Sequence, residues 1–378
     1  MSKLDTVIKD LNKKLKNDII TTDKDAITFN AREKVPFLSP SLTYMFRGGF
    51  PTKTLWCVRG EFSSGKTSTS LGIAGQFQKY YKKKWEDRVA YLQSLDKPTK
   101  NEKVELSELL DRDYKKVCFV DVEQSLDMDW ATKSGFDPSD AIYVKPASES
   151  AEEILEIVLQ LIQSDCVCLV IIDSVAALTS MSALEKDLTQ KTYCGVAGTM
   201  TTFTAKLMPL LSQYDCSCIC INQLRDNLSS PYGGTKMPGG RSLGFNSHVI
   251  ITTKKGKALD ENYKEIPNNS ESYYGQYTEI HLDKCKVAKP DRRLTKLAIV
   301  FDKGCYSLLD TFNLAIAFGI VTKAGAWFSY DDENGNPKVD SEGNAMKWQG
   351  QTKALNYLES HDDVYQEIYN KVIERCKD

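Results

Sequence analysis

One eight-residue run, Gly60-Glu61-Phe62-Ser63-Ser64-Gly65-Lys66-Thr67, constrains this 378-residue chain more than any other feature. A short apolar strand pattern, residues 54–59, precedes it. A helical pattern follows over residues 66–84, with Leu71, Ile73, Ala74 and Phe77 facing inward. The run fits G-x-x-x-x-G-K-[ST] without a gap. In that spacing successive backbone N–H groups wrap a β-phosphate, and the next helix points its positive end at the same anion. Lys66 is expected to reach the β- and γ-oxygens of ATP, and Thr67 to place its hydroxyl on Mg²⁺. Ser68 completes the expected cradle. The competing reading, a plain glycine-serine loop, does not account for the strand before it and the helix behind it.

Charge excludes one class of partner recognition. Lys plus Arg number 49 and Asp plus Glu 51, a net charge of −2. Nucleic-acid binding would therefore rest on a local basic patch and not on a global field. The longest apolar runs, residues 166–172 and 314–321, reach 7 and 8 residues. A membrane helix needs about 18 or more, so none is expected. Met1-Ser2-Lys3-Leu4-Asp5 leads into no apolar stretch, so no secretory signal is expected. The 11 cysteines include Cys166 and Cys168, then Cys216, Cys218 and Cys220, each two apart. That is strand alternation, not the C-x2-C spacing of a zinc knuckle. Buried reduced thiols in a reducing cytoplasm are the expectation.

Near the amino end Leu4, Val7, Ile8, Leu11 and Leu15 repeat at helical spacing. Such a stripe must be covered, either by its own domain or by a neighbouring subunit, and the residues leave both open. Strand patterns recur at residues 117–123, 166–173, 216–222 and 248–253. Ser150 and Glu153 form a capping box that opens a helix to about residue 162. Strands alternating with helices predict a doubly wound α/β fold with a mainly parallel sheet. Residues 85–113 are charged and read as a surface insertion. Past residue 308 the strand signal fades, which predicts a small α/β or helical tail domain.

Two acidic strand ends fit the phosphate loop. Asp173 ends the apolar run 169–172, at the edge where parallel sheets bind ligands, and is expected to hold Mg²⁺ through water. Capping of the next helix is the alternative. Asp121 and Glu123 are expected to share one face at the end of their strand. A carboxylate there could orient and deprotonate the attacking water; a solvated strand end is the plainer reading.

These residues resemble the RecA family of bacterial and phage recombinases. Phe119-Val-Asp-Val-Glu-Gln-Ser-Leu-Asp127 resembles the family's segment with the catalytic glutamate. Ile172-Asp-Ser-Val-Ala-Ala-Leu178 is similar to its Walker B stretch. Ile221-Asn-Gln-Leu-Arg225 resembles the opening of its second DNA loop, and Ala324-Gly-Ala-Trp-Phe-Ser-Tyr330 a signature of its C-terminal domain. The matches are collinear over about residues 40–375. The resemblance implies a RecA-type P-loop ATPase core at 36–308, an N-terminal helical oligomerisation arm at 1–35 and a small C-terminal α/β domain at 309–378.

It also implies roles. Glu123 would activate water. Trp130 would stack near the adenine and Asp127 would hydrogen-bond it. Gln223 would touch the γ-phosphate and report it to the loop that follows. Lys284 and Lys286 match a lysine pair that reaches a neighbouring subunit's γ-phosphate, which would tie hydrolysis to assembly as an arginine finger does. DNA contacts would come from a first loop, residues 181–193, running into Gly195 and the following helix with Lys206. A second loop, residues 225–241, carries Arg225, Lys236, Gly239, Gly240 and Arg241. Lys254 and Lys255 match a second, weaker DNA site. With no base-reading constellation, binding should be sequence-tolerant and salt-sensitive.

The chain departs from the family at Gly244, Ile250 and Thr199, where well-known members carry basic residues, and lacks an acidic tail. The implied function is a DNA-dependent ATPase that forms filaments on single-stranded DNA and exchanges strands with homologous double-stranded DNA. Single-strand-binding and mediator proteins are the further partners implied. A RecA-fold mediator without strand exchange is the alternative. A ring helicase fits less well, because the paired lysines stand where it would have a trans arginine.

Overall fold

The computed structural model describes residues 3–15, 20–22, 32–186, 195–226 and 235–377. Contacts divide the chain into two units, Met1–Glu33 and Lys34–Asp378. In the first, α1 (Lys3–Leu15) carries Leu4, Val7 and Leu11 on an exposed stripe. The Asn12 side chain closes onto the Ile20 backbone, donating to its oxygen at 2.8 Å and accepting from its N–H at 2.9 Å.

The second unit is built on one large sheet. Its main strands are β1 (Leu55–Gly60), β2 (Lys116–Asp121), β3 (Ala141–Val144), β4 (Val167–Asp173), β5 (Ser217–Gln223), β6 (Val249–Leu259), β7 (Gly275–Cys285), β8 (Leu294–Val300) and β9 (Gly304–Cys305), and the short strand Glu265–Ile266 pairs with the end of β6. Their spatial order is β9-β8-β7-β6-β1-β5-β4-β2-β3. From β6 to β3 every neighbouring pair is parallel; β7, β8 and β9 continue the sheet antiparallel. The α/β core with a mainly parallel sheet is thus the architecture observed. β4 is buried at every position, as a strand covered on both faces requires.

Helix α2 (Lys66–Gln93) packs over β2 and β4 on one side of the sheet. On the other, α4 (Ala151–Gln163) and α5 (Ala197–Gln213) bury Ile154, Val158, Phe203 and Leu207. They lie against Leu55, Cys57, Cys118, Val120, Val170, Ile172, Cys218 and Cys220, the alternate residues of four strands. The cysteines are core fillers here, and burial pushes the Cys57 and Cys118 thiols up to about 12. The ten cysteines of the described residues are all free thiols; Cys194 lies outside them.

The charged stretch 85–113 differs from expectation. Residue 84 does not end α2, which runs on to Gln93, and α3 (Lys100–Arg112) folds back beside it. Thr99 and Glu102 make a complete capping box at the turn. Arg88 grips Glu105 through two 2.8 Å hydrogen bonds, and the Trp85 indole N–H donates to the Leu109 oxygen at 2.9 Å. Lys, Glu and Arg are good helix formers, so a charge run here marks the wet faces of a helical hairpin and not a break.

The C-terminal stretch holds α6 (Ser307–Ala317), α7 (Gln351–Ser360), α8 (Asp362–Cys376) and a three-stranded antiparallel sheet, Val321–Ala324, Trp327–Tyr330 and Lys347–Gln349. Phe312, Phe328, Trp348, Leu355 and Ile368 share one core with Leu259, Ala298 and Val300 of β6 and β8. Buried Asp310 accepts hydrogen bonds from Ser39 Oγ at 2.5 Å and Ser41 N at 3.0 Å, tying α6 to residues far ahead of it in sequence.

Candidate nucleotide site and polynucleotide-facing loops

The carboxyl ends of β1, β2, β4 and β5 meet around one loop. Gly60 closes β1, and a Cβ there would lie 2.4 Å from both the backbone oxygen and Oγ1 of Thr253. Gly65 has φ +84, and a Cβ would come within 2.3 Å of Thr278 Oγ1. Both glycines are required by close approach, and the loop they bound leads directly into the N-terminus of α2, the position at which such a loop offers N–H groups to an anion. Ser64 Oγ donates to the Glu61 oxygen at 2.8 Å and lies 2.7 Å from Thr253 Oγ1. Phe62 stands 91% exposed.

The Lys66 ammonium donates to the Glu61 oxygen at 2.6 Å. Burial lowers its pKa; Asp173 and Glu123 push the other way. Thr67 Oγ1 donates to Asp173 Oδ2 at 2.7 Å. Burial raises the Asp173 carboxyl to about 6 against the pull of that hydrogen bond. A hydroxyl and a buried carboxylate converging on one point are the oxygen donor set a Mg²⁺ ion takes, directly or through water. The Trp130 indole N–H donates to Ser68 Oγ at 3.0 Å, so the ring lies at the first turn of α2. Asp127 caps the short helix Met128–Lys133, accepting from Trp130 N at 3.0 Å.

Glu123 lies two residues past the end of β2, so the expected shared strand face with Asp121 is corrected. The chain turns after Asp121: its buried carboxylate accepts the Ser125 and Leu126 N–H groups at 3.1 and 3.3 Å. Glu123, exposed, instead accepts from Gln223 Nε2 at 2.9 Å and from Ser174 Oγ, both on Oε1. The Val122 and Glu123 N–H groups donate to the Asp173 oxygen at 2.8 and 3.2 Å, and the Asp173–Ser174 peptide is cis. Gln223 stands beside Gly60 in the β1–β5 register. Gly60, Lys66, Thr67, Glu123, Asp173 and Gln223 are thus brought together from distant parts of the sequence.

Lys284 and Lys286 are elsewhere. Lys284 pairs with Ile250, which pairs with Cys57, whereas the phosphate loop begins at the level of Gly60 and Thr253. At about 3.3 Å per residue that is roughly 10 Å toward the opposite end of the sheet. Lys284 Nζ donates to the Gly244 and Phe245 oxygens, each at 2.8 Å, and burial lowers its pKa. Lys286 is exposed just beyond β7.

Of the expected DNA contacts, residues 187–194 and 227–234 lie outside the described residues. Arg225 and Lys236 face each other in a two-residue antiparallel ladder that closes the base of the second loop. Gly239 and Gly240 have φ +80 and +79, and a Cβ on them would meet Val175 Cγ1 and Ala197 Cβ, each at 2.9 Å. Gly195, φ +38, leads into α5. Arg241 is exposed ahead of the short helix Ser242–Asn246. Lys206 pairs with Glu156 at 3.3 Å. Lys254 and Lys255 are exposed together on β6, where a bulge follows Lys255. The three departures have concrete surroundings: Ile250 is buried, Thr199 donates to Glu152 at 2.7 Å, and Gly244 offers its carbonyl to Lys284. Sequence reasoning missed Ser174, Thr253 and Thr278. Ser174 could have been flagged by its place after Asp173; the two threonines carry no local signal.

A strand, a glycine-bounded phosphate loop and a helix at the carboxyl edge of a mainly parallel sheet define a P-loop protein with a RecA-type core. The family model for the RecA N-terminal domain matches residues 103–306, a span that holds Glu123, Asp173, Gln223, Lys284 and Lys286. The chain is similar to Protein RecA of Lactococcus lactis subsp. cremoris strain MG1363, with 29% identity covering 86% of this chain and 71% of that one. It is 33% identical to Protein RecA of Thermus aquaticus, over 68% of this chain and 70% of the relative. Protein RecA of Mycoplasmopsis pulmonis is 29% identical, over 87% and 80%. The chain belongs to the RecA family.

Proposed function

We propose that this protein is a DNA-dependent ATPase of homologous recombination and DNA repair in a cytoplasmic setting, forming filaments on single-stranded DNA and pairing it with homologous duplex. The observation that carries this reading is the pair of contacts at the two ends of the second loop. At its entry Gln223 holds Glu123 at 2.9 Å. Past its exit the Gly244 and Phe245 carbonyls hold Lys284, a cation placed away from its own phosphate loop. A loop that grips DNA therefore reaches one group of its own nucleotide site and one group suited to the next protomer's.

Glu123 would orient and deprotonate the attacking water. Lys66 would neutralise the β- and γ-oxygens, and Lys284 and Lys286 of the adjoining copy would add charge as it develops. Mg²⁺ held by Thr67 and Asp173 would supply further charge neutralisation on the phosphates. Asp127 and Trp130 would line the base. ATP and DNA favour the same assembled state, so each tightens the other. Arg225, Lys236, Arg241, Lys206, Lys254 and Lys255 would pair with phosphates, and Gly195, Gly239 and Gly240 would let the backbone approach them. Residues 1–35 would serve as the assembly arm and 309–378 as an appended domain.

The test is ATP turnover with and without single-stranded DNA. A rise on adding DNA, absent in Lys66→Ala, is expected; no rise refutes the proposal. A matched strand-exchange assay then separates it from a mediator. Stimulated turnover without exchange would favour the mediator, the reading to which the missing cations at Thr199, Gly244 and Ile250 belong.

A further inference from the structure

Glu123 is exposed, and a free glutamate side chain there would sample many rotamers. A proposed general base needs one orientation. The structure supplies it from Ser174, which is completely buried at the first position after β4 and donates its hydroxyl to Glu123 Oε1. Successive residues of one strand end divide the work: Asp173 takes the Thr67 hydroxyl, and Ser174 turns to the glutamate. The backbone fixes the same junction, since the Val122 and Glu123 N–H groups both bond the Asp173 oxygen.

We infer that Ser174 is the positioning residue for Glu123. It is the fixed donor of a two-donor clamp whose second donor, Gln223, belongs to the DNA loop. The inference rests on the reading of Glu123 as the base. Gln223 is half-buried at the end of β5, two residues before the loop ladder begins at Arg225. A movement of that loop can withdraw its amide, whereas Ser174 sits in the packed end of the sheet and cannot follow. With Oε1 held by the serine, Oε2 is the oxygen that meets water. Oε2 takes a proton from that water, and the water oxygen bonds the γ-phosphorus. The β–γ bridging P–O bond breaks, and its electron pair leaves on ADP. Ser174 touches neither nucleotide nor water; it acts only through the carboxylate.

The test is a double-mutant cycle read as kcat for ATP with saturating single-stranded DNA. Ser174→Ala should lower kcat about 10- to 100-fold, the cost of a misplaced catalytic group. ADP affinity should stay within about twofold of the parent, since no nucleotide contact is removed. Ser174→Ala added to Glu123→Gln should cost less than about twofold further, because a positioning residue has nothing left to position. Ser174→Cys keeps the volume with a weaker donor and runs the same cycle if the alanine variant does not fold. If Glu123→Gln keeps parental turnover, the reading of the base falls. If Glu123→Gln lowers turnover to a measurable residual rate and the serine defect multiplies with it, or falls on ADP affinity instead of kcat, this inference alone is overturned.

Discussion

Replacing Asp173 by Asn should stabilise the nucleotide-free protein while disabling its nucleotide site. Burial raises the Asp173 carboxyl from 3.8 to about 6. An acid raised in this way binds its proton more tightly folded than unfolded. The fold therefore carries no penalty from it below about pH 3.8 and loses stability as pH rises through about 6. From 3.8 to about 6 corresponds to about 3 kcal/mol, an upper figure for the strain of the ionised, unaccompanied carboxylate at pH 7.5. Asn keeps an acceptor for the Thr67 hydroxyl at nearly the same volume and carries no charge. In a unit of this size the unfolding entropy is roughly 0.7 kcal/mol/K, so the gain is at most about 4 °C in Tm. The assay is thermal unfolding of parent and Asp173→Asn without Mg²⁺ or nucleotide, at pH 7.5 and pH 5. The variant should melt higher at pH 7.5, and the gap should shrink at pH 5. Mg²⁺ with ADP should raise the parent's Tm and leave the variant's nearly unmoved. A variant less stable than the parent at pH 7.5, or a gap independent of pH, would refute the reasoning.

Four further substitutions test the packing around the phosphate loop, α2 and the helical hairpin. Gly65→Ala puts a Cβ 2.3 Å from Thr278 Oγ1 at φ +84, so nucleotide-dependent stabilisation should vanish in a thermal-shift titration. Gly75→Ala in α2 would set a Cβ 1.8 Å from the Gly135 oxygen, far from the phosphates, and should cost about 1–3 kcal/mol in urea unfolding. In the helical hairpin, Arg88→Ala should leave urea unfolding nearly unchanged because its pair with Glu105 is exposed. Trp85→Ala, which removes ring packing on Tyr114 and the bond to Leu109, should cost more than Arg88→Ala in the same measurement.

The nucleotide loop was legible in the sequence because its physics is local: two glycines, a lysine and a threonine at fixed offsets between a strand and a helix. Asp173 was placed by the apolar strand that ends at it, whereas Gln223 was placed only by the resemblance to the RecA family. What escaped was set by long-range pairing. Thr253 and Thr278 wall the loop only because β6 and β7 run alongside β1, a register no local pattern encodes. Glu123 was read one element too early, since an alternating apolar run does not announce where pairing stops. The hairpin of α2 and α3 was hidden by its charge, although Thr99 and Glu102 carried the start signal of α3 in plain view. The arrangement of Lys284 on the Gly244 and Phe245 carbonyls was likewise beyond sequence, because it depends on the turn after the second loop.

The central claim is a nucleotide site completed across two copies of the chain, and mixing two inactive variants tests it most directly. Lys66→Ala lacks the phosphate-loop lysine but keeps Lys284 and Lys286; Lys284→Ala/Lys286→Ala has the reverse defect. Co-assembled at equal concentration on single-stranded DNA, random head-to-tail neighbours should regenerate about a quarter of the parental sites, and ATP turnover with them. Turnover in the mixture no higher than the sum of the separate variants would contradict the account.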